Sequence, residues 1–297
     1  MVRAAAVIIS TIDKRATTFF TGFPRTHGEA SEFVGQKKTY GRAVRLSGAL
    51  TQSIRDRYEA AHDEGHPLLG GHRGNPAHHP ENTIRSFRSA INAGCDLIEC
   101  DVHLSLDGRL MVIHDHTLER TTNGTGMVRD QTAAQLRRLD AGEGEHIPLL
   151  QEVIELAIGK VGLVIEIKQV PIQYPGLEEK LVAMLRQLGA VSECAVVSFH
   201  HPSIRQLRAM EPKLQLGILE GARPIDPARM MREAGADVYS PHWGATDPQL
   251  VKEIHSAGGA VGVWTVDDDT AVAWCKLCRP DSVFTNRPVE IGPALRS

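Results

Sequence analysis

From residue 68 onward the chain alternates between two hydrophobic rhythms. Short apolar runs of strand length recur as LLGG (68–71), DLIECD (96–101), LVIEIK (163–168), AVVSF (195–199), LQLGIL (214–219), DVYS (237–240), AVGVWTV (260–266) and SVFT (282–285). Between them the apolar positions take a helical period: Ile84, Phe87, Ala90 and Ile91 follow Asn82 and stop at Gly94, and Leu177, Leu181, Met184, Leu185 and Leu188 stop at Gly189. Asp226-Pro227 and Asp247-Pro248 each set a capping carboxylate before a proline suited to the first helical turn, with Gly235 and Gly258 as the matching stops. Strands alternating with helices pair in parallel, and eight such units predict an α/β fold, a TIM-type (βα)8 barrel. A doubly wound sheet is the alternative, but no glycine-rich dinucleotide fingerprint follows the first run.

One run lies outside that rhythm. RLMVIHD (109–115) is separated from DLIECDVHLS only by Leu106-Asp107-Gly108, too short for a crossover helix. Asp-Gly between two extended runs predicts a short β-hairpin excursion after the second strand. A turn centred on Asp107 and Gly108 sets residue 114 opposite residue 101 and so carries His114 back to Asp101.

The stretch before the barrel has a different texture. Residues 1–65 are expected to form an N-terminal extension, partly disordered or one helix, with Leu50, Ile54 and Tyr58 on a shared face; residues 66–297 form the barrel domain. The opening residues, rich in Thr, Ser and Arg, are read either as a poorly ordered extension or as a targeting segment.

Composition narrows the partners. A hydrophobic content of 42% over 297 residues provides for a sizeable core, and a formal net charge of −3 gives no reason to expect nucleic acid. Five cysteines without a repeated spacing suit a reducing, cytoplasmic setting, and Cys275-x-x-Cys278 lacks the further soft ligands that a zinc site needs. No apolar run reaches the length of an integral membrane segment. The oligomeric state is left open.

The candidate chemistry comes from polar residues at strand ends. Side chains alternate along a strand, so Glu99 and Asp101 share one face of the second run, and Glu166 and Lys168 share one face of the third. If the apolar alternates pack on the helices, these charges point into the barrel at the end where such folds build their sites. Each carboxylate alone also reads as a structural ion-pair partner. Together the three would repel one another without a counter-charge, and an all-oxygen donor set favours one divalent cation, Mg2+ or Ca2+, with Mn2+ as a third option. His72 and Arg73, at the end of the first run in GGHRGNPAHHPENT (70–83), reach the same rim as His114, with Gly70, Gly71 and Gly74 permitting tight turns and close ligand approach. Two imidazoles, a divalent cation, Arg73 and Lys168 make a site for a phosphate ester, the imidazoles serving as acid and base. His78 and His79 read as loop residues. Phe199, Trp243 and Trp264 follow or end barrel strands, where they either line an aromatic wall for a cationic leaving group or pack under the loops.

At these residues the sequence resembles the glycerophosphodiester phosphodiesterase family. The resemblance runs over residues 68–290 through HRG, PENT, IECDV with DGRLMVIHD following, LERTTNGTG, IEIK and the late VWTVD, in order and at matching spacing. It implies hydrolysis of glycerophosphodiesters to glycerol 3-phosphate and an alcohol, a divalent metal held at Glu99, Asp101 and Glu166, and catalytic histidines at His72 and His114. It also implies phosphate contacts from Arg73 and Lys168, a rim buttressed by Glu81 and Asn82 with Glu81 on the substrate side, and a substrate pocket lined by Trp264, to which Phe199 is added from its position. Some members act on lysophospholipids instead. Direct attack by water and a route through a cyclic phosphate both remain open, as does which histidine is acid and which base.

The chain departs from the family pattern in three places. Ser105 stands where Thr is common, Asp267 where Asn is common, adding a negative charge near the phosphate site, and Leu118 to Pro148 is too short for a large inserted lobe. Two rivals are a lysophospholipase D-like lipid phosphodiesterase, which would want a basic or apolar membrane-facing rim, and an inactive barrel used as a binding module, which would lack a ligand or a histidine. The sequence shows neither sign.

Overall fold

The computed structural model describes residues 52–64 and 66–296. The opening segment, with its targeting reading and Leu50, lies outside the described residues. The chain enters through helix α1 (Ile54–Glu64) and strand β1 (Leu68–Gly71), then α2 (Ile84–Asn92), β2 (Leu97–Leu104), β3 (Leu110–Val112), a single turn α3 (Ala133–Leu136) and α4 (Leu150–Ala157). A regular alternation follows: β4 (Gly162–Ile167), α5 (Leu177–Leu188), β5 (Cys194–Ser198), α6 (His201–Met210), β6 (Gln215–Glu220), α7 (Pro227–Ala234), β7 (Val238–Pro241), α8 (Pro248–Ser256), β8 (Ala260–Val263), α9 (Asp269–Cys278), β9 (Ser282–Thr285) and α10 (Pro288–Arg296).

Strands β1, β2 and β4 to β9 pair in parallel, and β1 closes the ring by pairing with both β9 and β2. The eight apolar runs are thus the eight barrel strands, and the doubly wound alternative falls because a doubly wound sheet keeps two open edges. Caps act where the punctuation places them: Asp226 and Asp247 accept from the backbone N–H groups of Arg229 and Leu250, and Gly235 ends α7 with φ +69°.

The alternation of side chains sorts two layers. Ile98, Cys100, Ile165 and Ile167 join the layer between barrel and helices. Leu97 and Val164, on the other face, meet Leu68, Ala195, Val197, Leu219 and Phe284 inside the barrel. Glu99, Asp101 and Glu166 lie on that same inward face, farther along their strands, with register pairing Asp101 to Glu166. The lower barrel is therefore apolar and its upper mouth charged.

Helix α1 seats on the lower layer. Ile54 is 1% exposed and joins the interior cluster, its N–H bonds Ser192 O, and the Tyr58 hydroxyl meets Ser282 Oγ at 3.0 Å. Because Ile54 fills the barrel end, Ile54→Ala is expected to cost about 2–5 kcal/mol of unfolding free energy in urea titrations. A loss near zero would mean that α1 is dispensable to the barrel.

The hairpin forms with a register one residue away from the expected one. Val102 pairs Val112 and Leu104 pairs Leu110, so Ile113, not His114, faces Asp101. The loop holds three residues instead of two: Gly108 N–H bonds Ser105 O, and Gly108 takes φ +71°. This is a type I turn closed by a left-handed glycine, and Ser105 Oγ and the Asp107 carboxylate hold it by accepting from Arg109 N–H and Ala133 N–H. The segment after β3 packs a small core of its own, with Met111, Ile113, Leu118, Val128, Leu136 and Ile147.

Candidate active site

The site is assembled at the mouth of the barrel: Glu99 and Asp101 stand on β2 and Glu166 on β4, while His72 and Arg73, His114, Lys168, Phe199 and Trp264 follow the ends of β1, β3, β4, β5 and β8. His72, Arg73, Glu99, His114, Glu166, Lys168, Phe199 and Trp264 line one cavity of about 120 Å³ in the barrel mouth, with apolar Val164, Val197 and Leu219 as its floor. Asp101 and Glu81 sit behind this surface. His78 pairs with Glu290 and His79 also stays outside the cavity, as loop residues. Trp243 packs against the helix layer, while Phe199 and Trp264 meet edge to face at 5.5 Å.

Glu99, Asp101 and Glu166 are all buried, and each offers a carboxylate oxygen within 4.8 Å of the others. Two cations interleave with them. Lys168 Nζ lies 2.6 Å from Glu166 Oε1 and 2.9 Å from Asp101 Oδ1, and Arg73 Nε lies 3.3 Å from Asp101 Oδ2. Three carboxylates and two cations leave one negative charge in excess if all are ionised. The site distributes that strain unequally. Burial pushes Glu99 well above the usual carboxylate range, helped by Asp101 and Glu166. Burial also lifts Glu166 to about 7 despite Lys168. At Asp101 burial is outweighed by Lys168 and Arg73, which hold the carboxyl far below its ordinary value.

Arg73 reaches this position through a left-handed backbone, φ 54°, that turns its N–H onto Glu99 Oε2 at 3.0 Å. Its carbonyl receives Asn82 N–H, and Asn82, also left-handed at φ 58°, donates Nδ2–H to Asp101 Oδ2 at 2.8 Å. Gly74, φ +91°, is needed for packing rather than for ligand approach, because a Cβ there would run into Ser86 and the backbone of Phe87.

The two imidazoles are held differently. His72 Nδ1 lies 2.8 Å from Asn286 Oδ1, and burial, followed by the charge of Arg73, lowers its pKa to about 4. His114 Nδ1 lies 2.5 Å from Asp115 Oδ1; burial again lowers the pKa, while the carboxylates of Asp101 and Asp115 offset part of the effect. Asp115 is gripped by Arg120, which also forks onto Glu81, and Glu81 bonds Arg73. A belt of alternating charge therefore runs around the rim from His114 to Arg73.

Several of these partners escaped the sequence reading. Asp115, Arg120 and Asn286 stand inside quoted runs or beside them but have no spacing that announces a role. Buried His103 donates Nε2–H to the carbonyl of His114 at 2.9 Å and accepts from the Tyr174 hydroxyl at 2.8 Å, so it fixes the main chain at His114. Asp267 does not lie on the cavity surface: its carboxylate accepts from Thr285 Oγ1 and from the N–H and Nδ2–H of Asn286. The negative charge expected beside the phosphate is thus committed to the neighbouring strand end. All five cysteines are free and buried, the Cys275 and Cys278 pair on α9 included. No helix among the described residues is long and apolar enough to cross a membrane.

The chain is similar to known proteins. The model of the glycerophosphoryl diester phosphodiesterase family matches residues 72–290. A glycerophosphodiester phosphodiesterase of Caldanaerobacter subterraneus subsp. tengcongensis is 38% identical over 229 residues, 74% of this chain and 94% of that protein. A glycerophosphodiester phosphodiesterase of Bacillus subtilis is 33% identical over 246 residues, 74% and 84% of the two chains. Among solved structures, a phosphodiesterase of Oleispira antarctica in complex with the product sn-glycerol-3-phosphate superposes with a TM-score of 0.70 at 29% identity, covering 80% of this chain and 99% of that one.

Proposed function

The chain belongs to the glycerophosphoryl diester phosphodiesterase family, and from that premise we propose that it hydrolyses glycerophosphodiesters to glycerol 3-phosphate and an alcohol by metal-dependent, two-histidine acid–base catalysis. The observation that carries the reading is the convergence of three buried carboxylates, two cations and two imidazoles on one barrel mouth.

The donor set fits a hard divalent cation, Mg2+ or Ca2+, with Mn2+ as the third option. All donors are carboxylate oxygens, and buried Asp101 Oδ1 makes no hydrogen bond although Lys168 Nζ lies near it. Glu99, Asp101 and Glu166 would hold the ion. Once bound, it would supply positive charge to offset the phosphate's negative charge and would make a nearby hydroxyl more acidic.

The chain's own groups do the rest. Arg73 and Lys168, fixed by their carboxylate partners, meet the negative charge that grows on the phosphoryl oxygens. Each imidazole has its Nδ1 occupied, which leaves Nε2 for substrate. His72 is backed by a neutral amide and suits the base that takes a proton from the attacking hydroxyl, whether glycerol's own or that of water. His114 is backed by the Asp115 carboxylate, which stabilises an imidazolium and suits the acid that protonates the departing alkoxide. Phe199 and Trp264 give the leaving group an aromatic wall, and Glu81 braces Arg73.

The direct test is release of glycerol 3-phosphate from glycerophosphocholine and glycerophosphoethanolamine in the presence of chelator, then with Mg2+, Ca2+ or Mn2+ restored, beside a Glu99→Ala control. Release that returns with metal, and not in the control, is expected. Folded protein that releases nothing from either substrate with any of the three ions would overturn the reading.

A further inference from the structure

Three neighbouring strands each contribute one residue just past their C-terminal ends: His72 after β1, Asn286 after β9 and Asp267 beyond β8. The parallel register makes them neighbours. Gly71 pairs Thr285, His72 N–H continues the ladder to Thr285 O, and Val266 N–H bonds Phe284 O. Side chains then form a single file, Asp267 to Asn286 to His72.

The donor and acceptor order of this file is forced from one end. The Asp267 carboxylate accepts at Oδ1 from Thr285 Oγ1 at 2.9 Å and from Asn286 N–H at 2.8 Å, and at Oδ2 from Asn286 Nδ2 at 2.6 Å. An ionised carboxylate only accepts, so the Asn286 amide must turn its NH2 toward Asp267 and its carbonyl toward His72. That carbonyl also only accepts. His72 Nδ1, 2.8 Å away, must therefore carry the proton.

We infer that Asp267 and Asn286 are a positioning pair that holds His72 as its Nδ1–H tautomer, keeping Nε2 unprotonated toward the cavity. This rests on the proposed role of His72 as base and adds what enforces it. The alternative tautomer would place a proton on Nε2, where the base must accept one, and would leave the Asn286 carbonyl facing a lone pair. Using an amide rather than a carboxylate behind the ring fixes orientation without adding an anion that would favour the imidazolium. The lowered pKa of His72, about 4, accords with that choice.

The same geometry predicts that the two residues are exchangeable only as a pair. Asn286→Asp alone sets two carboxylates face to face; Asp267→Asn alone removes the anion that orients the amide. With both changes together, the amide at 267 can donate to the carboxylate at 286 and still accept from Thr285 Oγ1, and His72 Nδ1–H again has an acceptor.

The experiment reads tautomer and turnover separately. In full-length protein with 15N-labelled histidine, the imidazole nitrogen shifts of His72, assigned by their loss in His72→Ala, should show a protonated Nδ1 and a bare Nε2. Asn286→Ala should mix or invert that pattern and lower kcat about 10- to 100-fold, as loss of a histidine's outer partner does elsewhere, with KM nearly unchanged. The double exchange should recover the Nδ1–H tautomer and, at a pH high enough to keep the ring neutral beside the carboxylate now behind it, most of the kcat lost in either single variant. A wild-type His72 protonated on Nε2, an Asn286→Ala variant with unchanged kcat, or a double variant no better than the worse single one would each overturn the pair. The tautomer is read without substrate, so absence of phosphodiesterase activity in the wild type would count against the proposed function and leave this measurement standing.

Discussion

His72→Ala and His114→Ala are each expected to lower kcat by about 10²- to 10⁴-fold, the range lost when a positioned proton acceptor or donor is removed. The loss should fall on kcat because, in the proposed mechanism, the cationic phosphate contacts come not from the imidazoles but from Arg73 and Lys168, which retain their carboxylate partners in both variants. Stability should change little at His72, which is partly exposed at the cavity wall and leaves behind an Asn286 carbonyl that water can satisfy. At His114 the freed Asp115 carboxylate keeps two bonds from Arg120. The check is steady-state kinetics at saturating substrate and metal, under conditions in which chemistry limits turnover. A variant of either histidine that turns over at close to the wild-type rate removes that residue from acid–base work.

The second large effect is on folding. Asp101 is fully buried and accepts from Asn82 while facing both Arg73 and Lys168. Asp101→Ala leaves two cations in the barrel mouth with one carboxylate fewer, and breaking a buried ionic set in this way costs about 3–5 kcal/mol. Urea unfolding in chelator measures the cost without any contribution from bound ion. In the wild type a saturating divalent cation should then raise the unfolding midpoint, since the proposed site exists only in the folded state, and in Asp101→Ala that rise should shrink or vanish. An Asp101→Ala protein as stable as the wild type in chelator would mean that Lys168 and Arg73 find water or other partners, and that the burial of this cluster is looser than its geometry states.

The legible part of this protein follows from local rules. A period of two or of 3.6 residues shows in the sequence because each element must hide one face, so eight strands, their helices and the closed α/β barrel could be read from the pattern. The same alternation put Glu99, Asp101, Glu166 and Lys168 on inward faces, since a side chain's face is fixed by its parity along the strand. The hairpin between Asp101 and His114 was legible as a hairpin; its register was not, because Asp107-Gly108 serves a two-residue turn and a three-residue turn with a left-handed glycine equally well.

What only the tertiary structure decided is which distant side chain stands behind each reactive one. Asn286 is 214 residues from His72, and Arg120 is 39 from Glu81. Hydrogen-bond partners of this kind need proximity and direction, and neither leaves a period in the chain. The sequence by itself therefore determined the barrel, the family and the set of charged groups at its mouth. The closing of the barrel determined their partners: Asp267 anchors Asn286 instead of lining the cavity, and the two histidines acquired unlike partners, an amide and a carboxylate. The physical reason is that strand parity sends a residue inward with information carried by its immediate neighbours, whereas a tautomer or a charge state is set by contacts that exist only once the strands are side by side.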